Sequence, residues 1–250
     1  MPMFGLRSPT PHPAAMVGLR LDLATLMARA PSACDYHAAL KLGDEAPDAL
    51  GNDTAPDCVE AGYLRQVQMR EANAMGSSWK PSAIEAMGLL MAWGDPTLGT
   101  NLADAQARAA KDGISVGGTD LDVPLPVVLP NGSATLNGAT WFFGAVGLCW
   151  ALPAYLLANG PPMVWDVAPP GATDAATAPG DRHYTPSGAY GPTERRIVTW
   201  GLDVPVTPAF EARYLVGAET QLSRRWFDAK GLTLPGFDWA ASDAIRLQFA

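Results

Sequence analysis

Two side chains in this sequence can together carry covalent catalysis. Cys58 stands where the irregular run LGNDTAPD gives way to CVEAGYLRQVQMREANAM, which reads as a helix. A helix N-terminus favours a thiolate over a thiol, and a cysteine nucleophile needs a base within reach. The chain has 3 histidines. His12 lies in a Pro-rich arm, and His37 lies in a short amphipathic patch, DYHAAL, that reads as structural. His183 falls within RHYTPSGAYG, ahead of the strand-like RRIVTW. Cys58 and His183 are therefore the pair whose positions suit nucleophile and base. The bland reading stands beside this one: a lone cysteine opening a helix is commonly a small buried residue. That reading is kept for Cys34 and for Cys149, which sits in the most apolar strand-like run.

These residues need elements to position them. Val59, Tyr63 and Val67 recur at helical spacing behind Cys58, with Asp57 at the N-cap position. A second helix is predicted over 81–93, with Pro81 in its first turn and Ile84, Met87 and Met91 on one face. A third is predicted over 102–112, capped by Asn101 and stopped by Gly113. Then the texture changes. Residues 123–129, 145–152 and 195–200 are β-branched and aromatic, as strands are. A long loop over 166–194 holds His183, Thr207-Pro208 opens a short helix, and 238–249 reads as a terminal one. Helices first and strands after, with no βαβ alternation, predict an α+β fold. The expected organisation is a Pro-rich arm over 1–20 and a single domain over 21–250. Within that domain a helical half covers about 30–115 and a sheet half about 120–250.

Composition narrows the function classes. Apolar residues make up 48%, enough for a sizeable core, and Gly 25 with Pro 23 predict many turns. The net charge of −8 and the lack of a Lys/Arg run disfavour nucleic acid as a partner. The three cysteines are widely spaced, without CxxC, so neither a disulfide framework nor a metal centre is expected. GGTDLD lacks calcium-loop spacing and no P-loop or GxGxxG is present, so no cofactor is expected. Residues 141–158 approach membrane-spanning length, but Gly144, Gly147 and Pro153 interrupt them. Prolines occupy the place of a signal-peptide core. The expectation is a protein without export signal or transmembrane segment, cytoplasmic or within a virion.

LGNDTAPDC resembles the active-site segment of papain-like cysteine peptidases, where an amide six residues before the nucleophile helps that cysteine's backbone N–H hold the oxyanion. Asn52 stands six before Cys58, in place of the usual Gln. RRIVTWG resembles the later Asn-Ser-Trp-Gly element of that family. More closely, the chain resembles uncharacterised papain-fold proteins of bacteria and their phages. The matches are Leu50 to Cys58, Gly144 to Pro153, His183, Val198 to Gly201, and more weakly GFDWAA at 236–241. The resemblance covers roughly 30–250. It implies a papain-like fold, with the Cys58 helix against a twisted antiparallel sheet. Two departures stand out. Asp181 and Arg182 replace the glycines expected before the histidine, and Thr199, sixteen residues after His183, takes the place of the orienting Asn.

The resemblance implies a cysteine hydrolase, a peptidase or amidase, with Cys58 as nucleophile, His183 as base, Asn52 at the oxyanion and Thr199 orienting the imidazole. Its substrate would be a peptide or amide. The alternative is an inactive papain-fold structural component of a phage particle or similar assembly, with the N-terminal arm as the contact to a protein partner. A peptide- or glycan-binding module is a third, weaker option.

Overall fold

The computed structural model describes residues 6–7, 29–40, 48–122, 124–157, 163–168 and 182–227. The helical half runs β1 (Leu6–Arg7), β2 (Cys34–Asp35), α1 (Cys58–Met75), α2 (Ala83–Trp93), β3 (Thr100–Asn101) and α3 (Leu102–Asp112). After a hairpin of β4 (Ile114–Val116) and β5 (Thr119–Asp122) come β6 (Leu125–Leu129), α4 (Ser133–Phe143) and β7 (Val146–Trp150). Then follow β8 (His183–Ser187), β9 (Ala189–Tyr190), β10 (Arg195–Thr199), β11 (Leu202–Val206), α5 (Pro208–Tyr214) and β12 (Leu215–Leu222).

Local chemistry sets the helix limits. The Asn101 side chain accepts from Ala103 N and Asp104 N, and Gly113 ends α3, as its sequence predicts. Ser82 and Glu85 form a reciprocal capping box at the start of α2, so Pro81 lies just outside that helix. Gly76, at φ 66, turns the chain out of α1. Gly144, at φ 82, does the same for α4 and feeds β7, dividing the apolar run 141–158 between helix and strand. No helix among the described residues is long and apolar enough to cross a membrane.

Two antiparallel four-stranded sheets follow, β6-β12-β7-β8 and β11-β10-β9-β2. Alternation along β7 gives the first sheet two dressed faces. Leu148 and Trp150 join a large core with Phe142, Phe143, Phe210 and Trp226. Cys149 and Tyr184 join the helical core with Val59, Tyr63, Val67 and Trp93. The result is an α+β architecture with α1 at its centre.

From Cys58 to Glu71 every residue of α1 is buried, so its polar face must bond inside the protein. Arg70 donates to Phe143 O at 3.1 Å, to Gln221 Oε1 at 3.0 Å and to Gln66 Oε1 at 3.0 Å. Gln66 in turn donates to Tyr184 Oη at 2.6 Å and to Glu219 Oε1 at 3.2 Å. These bonds stitch the helix to β8 and β12.

One glycine sets how closely α1 approaches the sheet. A Cβ on Gly62 would lie 2.4 Å from the Tyr184 ring. Gly62→Ala is therefore expected to push α1 off β8 and to cost about 1–3 kcal/mol, the usual range for overpacking. Thermal unfolding reads this directly, and an unchanged midpoint would contradict the close approach.

Three sequence expectations need correction or lie out of view. The stripe on α2 is outward: Ile84 is 85% and Met91 65% exposed, while Ala86, Leu89, Leu90 and Trp93 are buried. The 166–194 region is no continuous loop, since it contains β8 and β9. The terminal helix, the GFDWAA match and the arm apart from Leu6–Arg7 fall outside the described residues. Leu6–Arg7 pairs in parallel with Thr100–Asn101.

Candidate active site

Cys58 is the first residue of α1. The turn before it is held by its own hydrogen bonds: Leu50 N donates to Asp48 Oδ1 at 2.9 Å, Asn52 N to Ala49 O at 3.0 Å, and Ala55 N to Gly51 O at 2.8 Å. Leu50 has φ 55 and Gly51 φ 91. On the opposite wall β10 and β11 meet through Trp200 at φ 47 and Gly201 at φ 76, the signs a two-residue type I′ hairpin turn requires. Among the described residues Leu50 and Trp200 are the non-glycine residues with positive φ. Such strain gathers at functional sites, and both residues line one cleft.

That cleft is lined by Leu50, Asn52, Cys58, Thr199 and Trp200, with Arg65 and Tyr184 further along. Its volume is about 20 Å³, room for roughly one water molecule. Cys58 is 1% exposed and His183 0%. The cleft is narrow, and both side chains lie below its surface.

His183 opens β8 rather than lying in a loop. Its Nε2 is 2.8 Å from Thr199 Oγ1, and its ring stacks on Trp200 at 4.8 Å between centroids and 16° between planes. Trp165 lies on the same group of rings, 6.3 Å from His183 and 6.0 Å from Trp200. Its own backbone is tied to β11, donating to Pro205 O at 2.9 Å and accepting from Thr207 N at 3.0 Å. Thr199 thus bonds the histidine and lines the cleft that contains Cys58 and Asn52. Of the four residues singled out from the sequence, Asn52, Cys58 and Thr199 line the cleft and His183 is bonded to Thr199. Burial pushes the His183 imidazole down to about 3, so it rests neutral.

Two buried carboxyls flank Cys58 in the chain, Asp57 and Glu60. Asp57 is at the N-cap position, but its side chain makes no cap hydrogen bond. Burial, with Glu60 and Asp53 nearby, drives its carboxyl up to about 7 against the pull of Asn52. Burial likewise drives Glu60 up to about 7, although Thr100 donates to it. The other two thiols are discouraged from ionising: burial takes Cys34 up to about 11 and Cys149 higher still. Among the described residues no cluster fit to hold a metal ion is present.

His37 lies outside this site and works as a pin. Gly188 N donates to its Nε2 at 2.8 Å, so the ring proton sits on Nδ1, which donates to Asp203 Oδ1 at 3.0 Å. Sequence reasoning missed Trp165, Tyr184 and the turn at Leu50. Tyr184, next to His183, is the one with a positional signal; nothing local marks the others.

No protein-family model and no curated protein matches the sequence. Solved structures do match the fold. Xylellain, a cysteine protease from Xylella fastidiosa, superposes with a TM-score of 0.61 at 12% identity, covering 88% of this chain and 96% of its own. Procathepsin B S9 from Trypanosoma congolense gives 0.60 at 11% identity, covering 86% of each chain. The Carica candamarcensis cysteine protease CMS1MS2, solved in complex with E-64, gives 0.53 at 14% identity, covering 76% of this chain and 98% of its own. The fold is papain-like, that of cysteine peptidases.

Proposed function

We propose that the chain is a cysteine hydrolase acting on a peptide or related amide bond, with Cys58 as nucleophile and His183 as base. The observation that carries this reading is the bond from His183 Nε2 to Thr199, a residue that shares the cleft lining with Cys58 and Asn52. With the Nε2 proton given to Thr199, the Nδ1 lone pair is left to take the thiol proton. The thiolate then adds to the carbonyl carbon. The oxyanion is met by Asn52 Nδ2–H and by the Cys58 backbone N–H at the start of α1. Each such donor is worth about 3–4 kcal/mol of barrier. The imidazolium protonates the departing amine, leaving a thioester that water hydrolyses with His183 again as base. A neutral resting imidazole does not oppose this sequence, because the new thiolate is itself the counter-charge that favours imidazolium.

Alkylation tests the reading. Iodoacetamide at near-neutral pH is expected to label native Cys58 much faster than Cys34 or Cys149, whose thiols burial holds protonated. Equal slow labelling of all three by mass spectrometry would sink it. A second reading rests on the narrowness of the cleft, about 20 Å³: the same fold serves as an inactive structural part of a phage particle or similar assembly, with the N-terminal arm docked on a neighbouring protein. Slow labelling together with loss of co-assembly on deleting residues 1–16 would favour that reading.

A further inference from the structure

Between Leu50 and Cys58 three polar atoms are buried without a closed hydrogen bond: Asn52 Nδ2 and both carboxyl oxygens of Asp57. Leaving such groups unpaired is costly, so orphans that persist together call for a use. Asp57 has the sequence position of a helix cap, yet its side chain caps nothing. It turns back over the preceding loop instead. A Cβ on Gly51 would stand 2.9 Å from Asp57 Oδ2, and Gly51 is at φ 91, so only glycine leaves room for that carboxyl. Asn52, the next residue, lies close enough to favour the ionised carboxylate although the bond between them is not closed.

We propose that Asp57 is the positioning residue for Asn52: its carboxyl takes one amide N–H and so aims the other into the Cys58 cleft. The proposal rests on the hydrolase reading for its use and on the loop geometry for its existence. A carboxamide has two N–H groups, and an oxyanion needs one of them held still. Asn52 lines the cleft with Cys58 and lies beside the Asp57 carboxyl, so its two N–H groups have a separate use on each side. The charged groups facing Asp57 are Asp53 from its own loop and Glu60 from the helix, with Asp48 and Arg65 further along the cleft. Because Glu60 also titrates nearby, the test controls for it.

The experiment follows the side-chain ¹H–¹⁵N signals of Asn52, assigned by their loss in Asn52→Asp. In the wild-type chain they are expected to shift with pH around a midpoint of about 7. The shift should persist in Glu60→Gln and vanish in Asp57→Asn. Signals that do not titrate in wild type, or titrate unchanged in Asp57→Asn, overturn the proposal. A peptide aldehyde supplies the functional readout, since its hemithioacetal adduct with Cys58 places an oxygen where the oxyanion would sit, while alkylation by iodoacetamide does not. Asp57→Ala is expected to weaken the aldehyde adduct toward the ~10²–10³-fold loss of an oxyanion donor, non-additively with Asn52→Ala. Its Cys58 alkylation rate should stay close to wild type. Equal losses in both reactions would mean that Asp57 acts on the thiol and would overturn the positioning role. A wild-type chain that shows the titration but takes no aldehyde overturns the hydrolase reading and leaves the Asp57–Asn52 contact standing.

Discussion

Replacing His183 with alanine is expected to cut turnover of a peptide amide by about two to four orders of magnitude, the usual worth of a positioned acid–base group. On the proposed hydrolase reading the loss should fall on kcat, because His183 is walled in by Thr199, Trp165 and Trp200 and would serve proton transfer rather than substrate contact. Thr199→Val keeps the volume and removes the oxygen that orients the ring. It should lose activity by a smaller factor, with the ring still stacked on Trp200. His183→Asn, which keeps a polar group in the buried site, guards against a folding artefact. Turnover of a fluorogenic casein by His183→Ala at the wild-type rate would remove the base from the mechanism. A wild-type chain without any turnover would leave only the scaffold role.

The second large effect concerns stability against pH. Asp57 and Glu60 are each raised to about 7, from ordinary values of 3.8 and 4.5. A carboxyl whose folded value is raised gives its full stability below the unfolded value and loses it as pH climbs through the folded one. Both groups therefore make the native state weaker between about pH 4 and pH 7. His183 acts in the opposite sense at the acid end: its folded value, about 3, lies below the unfolded 6.5, so stability is lost as pH falls through that window. Asp203, held low by His37 and Arg196 against its own burial, adds to the acid loss. Stability should thus peak on the acid side of neutrality. Asp57→Asn deletes one raised carboxyl, and its advantage over wild type should widen by about 3 kcal/mol between pH 5 and pH 8, at roughly 1.4 kcal/mol per unit. Urea midpoints at the two pH values measure it. Parallel wild-type and variant curves would mean that the carboxyl is ionised in the native state throughout.

Much of this was legible in the sequence, because the relevant signals are local. Asn101 and Gly113 bracket α3, Gly144 stops α4, and Cys58 opens α1, each through a backbone requirement that one or two residues satisfy. The papain-like architecture was legible through the resemblance of LGNDTAPDC and RRIVTWG to a known family, which also drew attention to Cys58, Asn52, His183 and Thr199. What was not legible depends on packing. The α2 sequence AIEAMGLLMAW is apolar nearly all round, so periodicity finds a stripe without saying which side is covered. The polar face of α1 reads as solvent-facing until Gln66 and Arg70 are seen bonded to Tyr184, Glu219 and Gln221. Asp57 obeys the cap rule in position alone, since its carboxyl is drawn to the Gly51 turn instead. Trp165 reaches His183 from a segment with no motif of its own.

The strand order β6-β12-β7-β8 sets when this protein can acquire its site during synthesis. The last of the described strands in sequence, β12, is the one that joins β6 to β7, pairing antiparallel with both and shifting register against β7 between Leu215 and Gly217. A nascent chain that has emerged as far as β8 carries Cys58 and His183 but lacks the strand between two of its own sheet members. It also lacks Glu219, which completes the polar anchor of α1. Pairings that wait on distant sequence form late. The sheet that carries His183 against the Cys58 helix is therefore completed only after β12 has left the ribosome, and products truncated before it should lack the folded cleft.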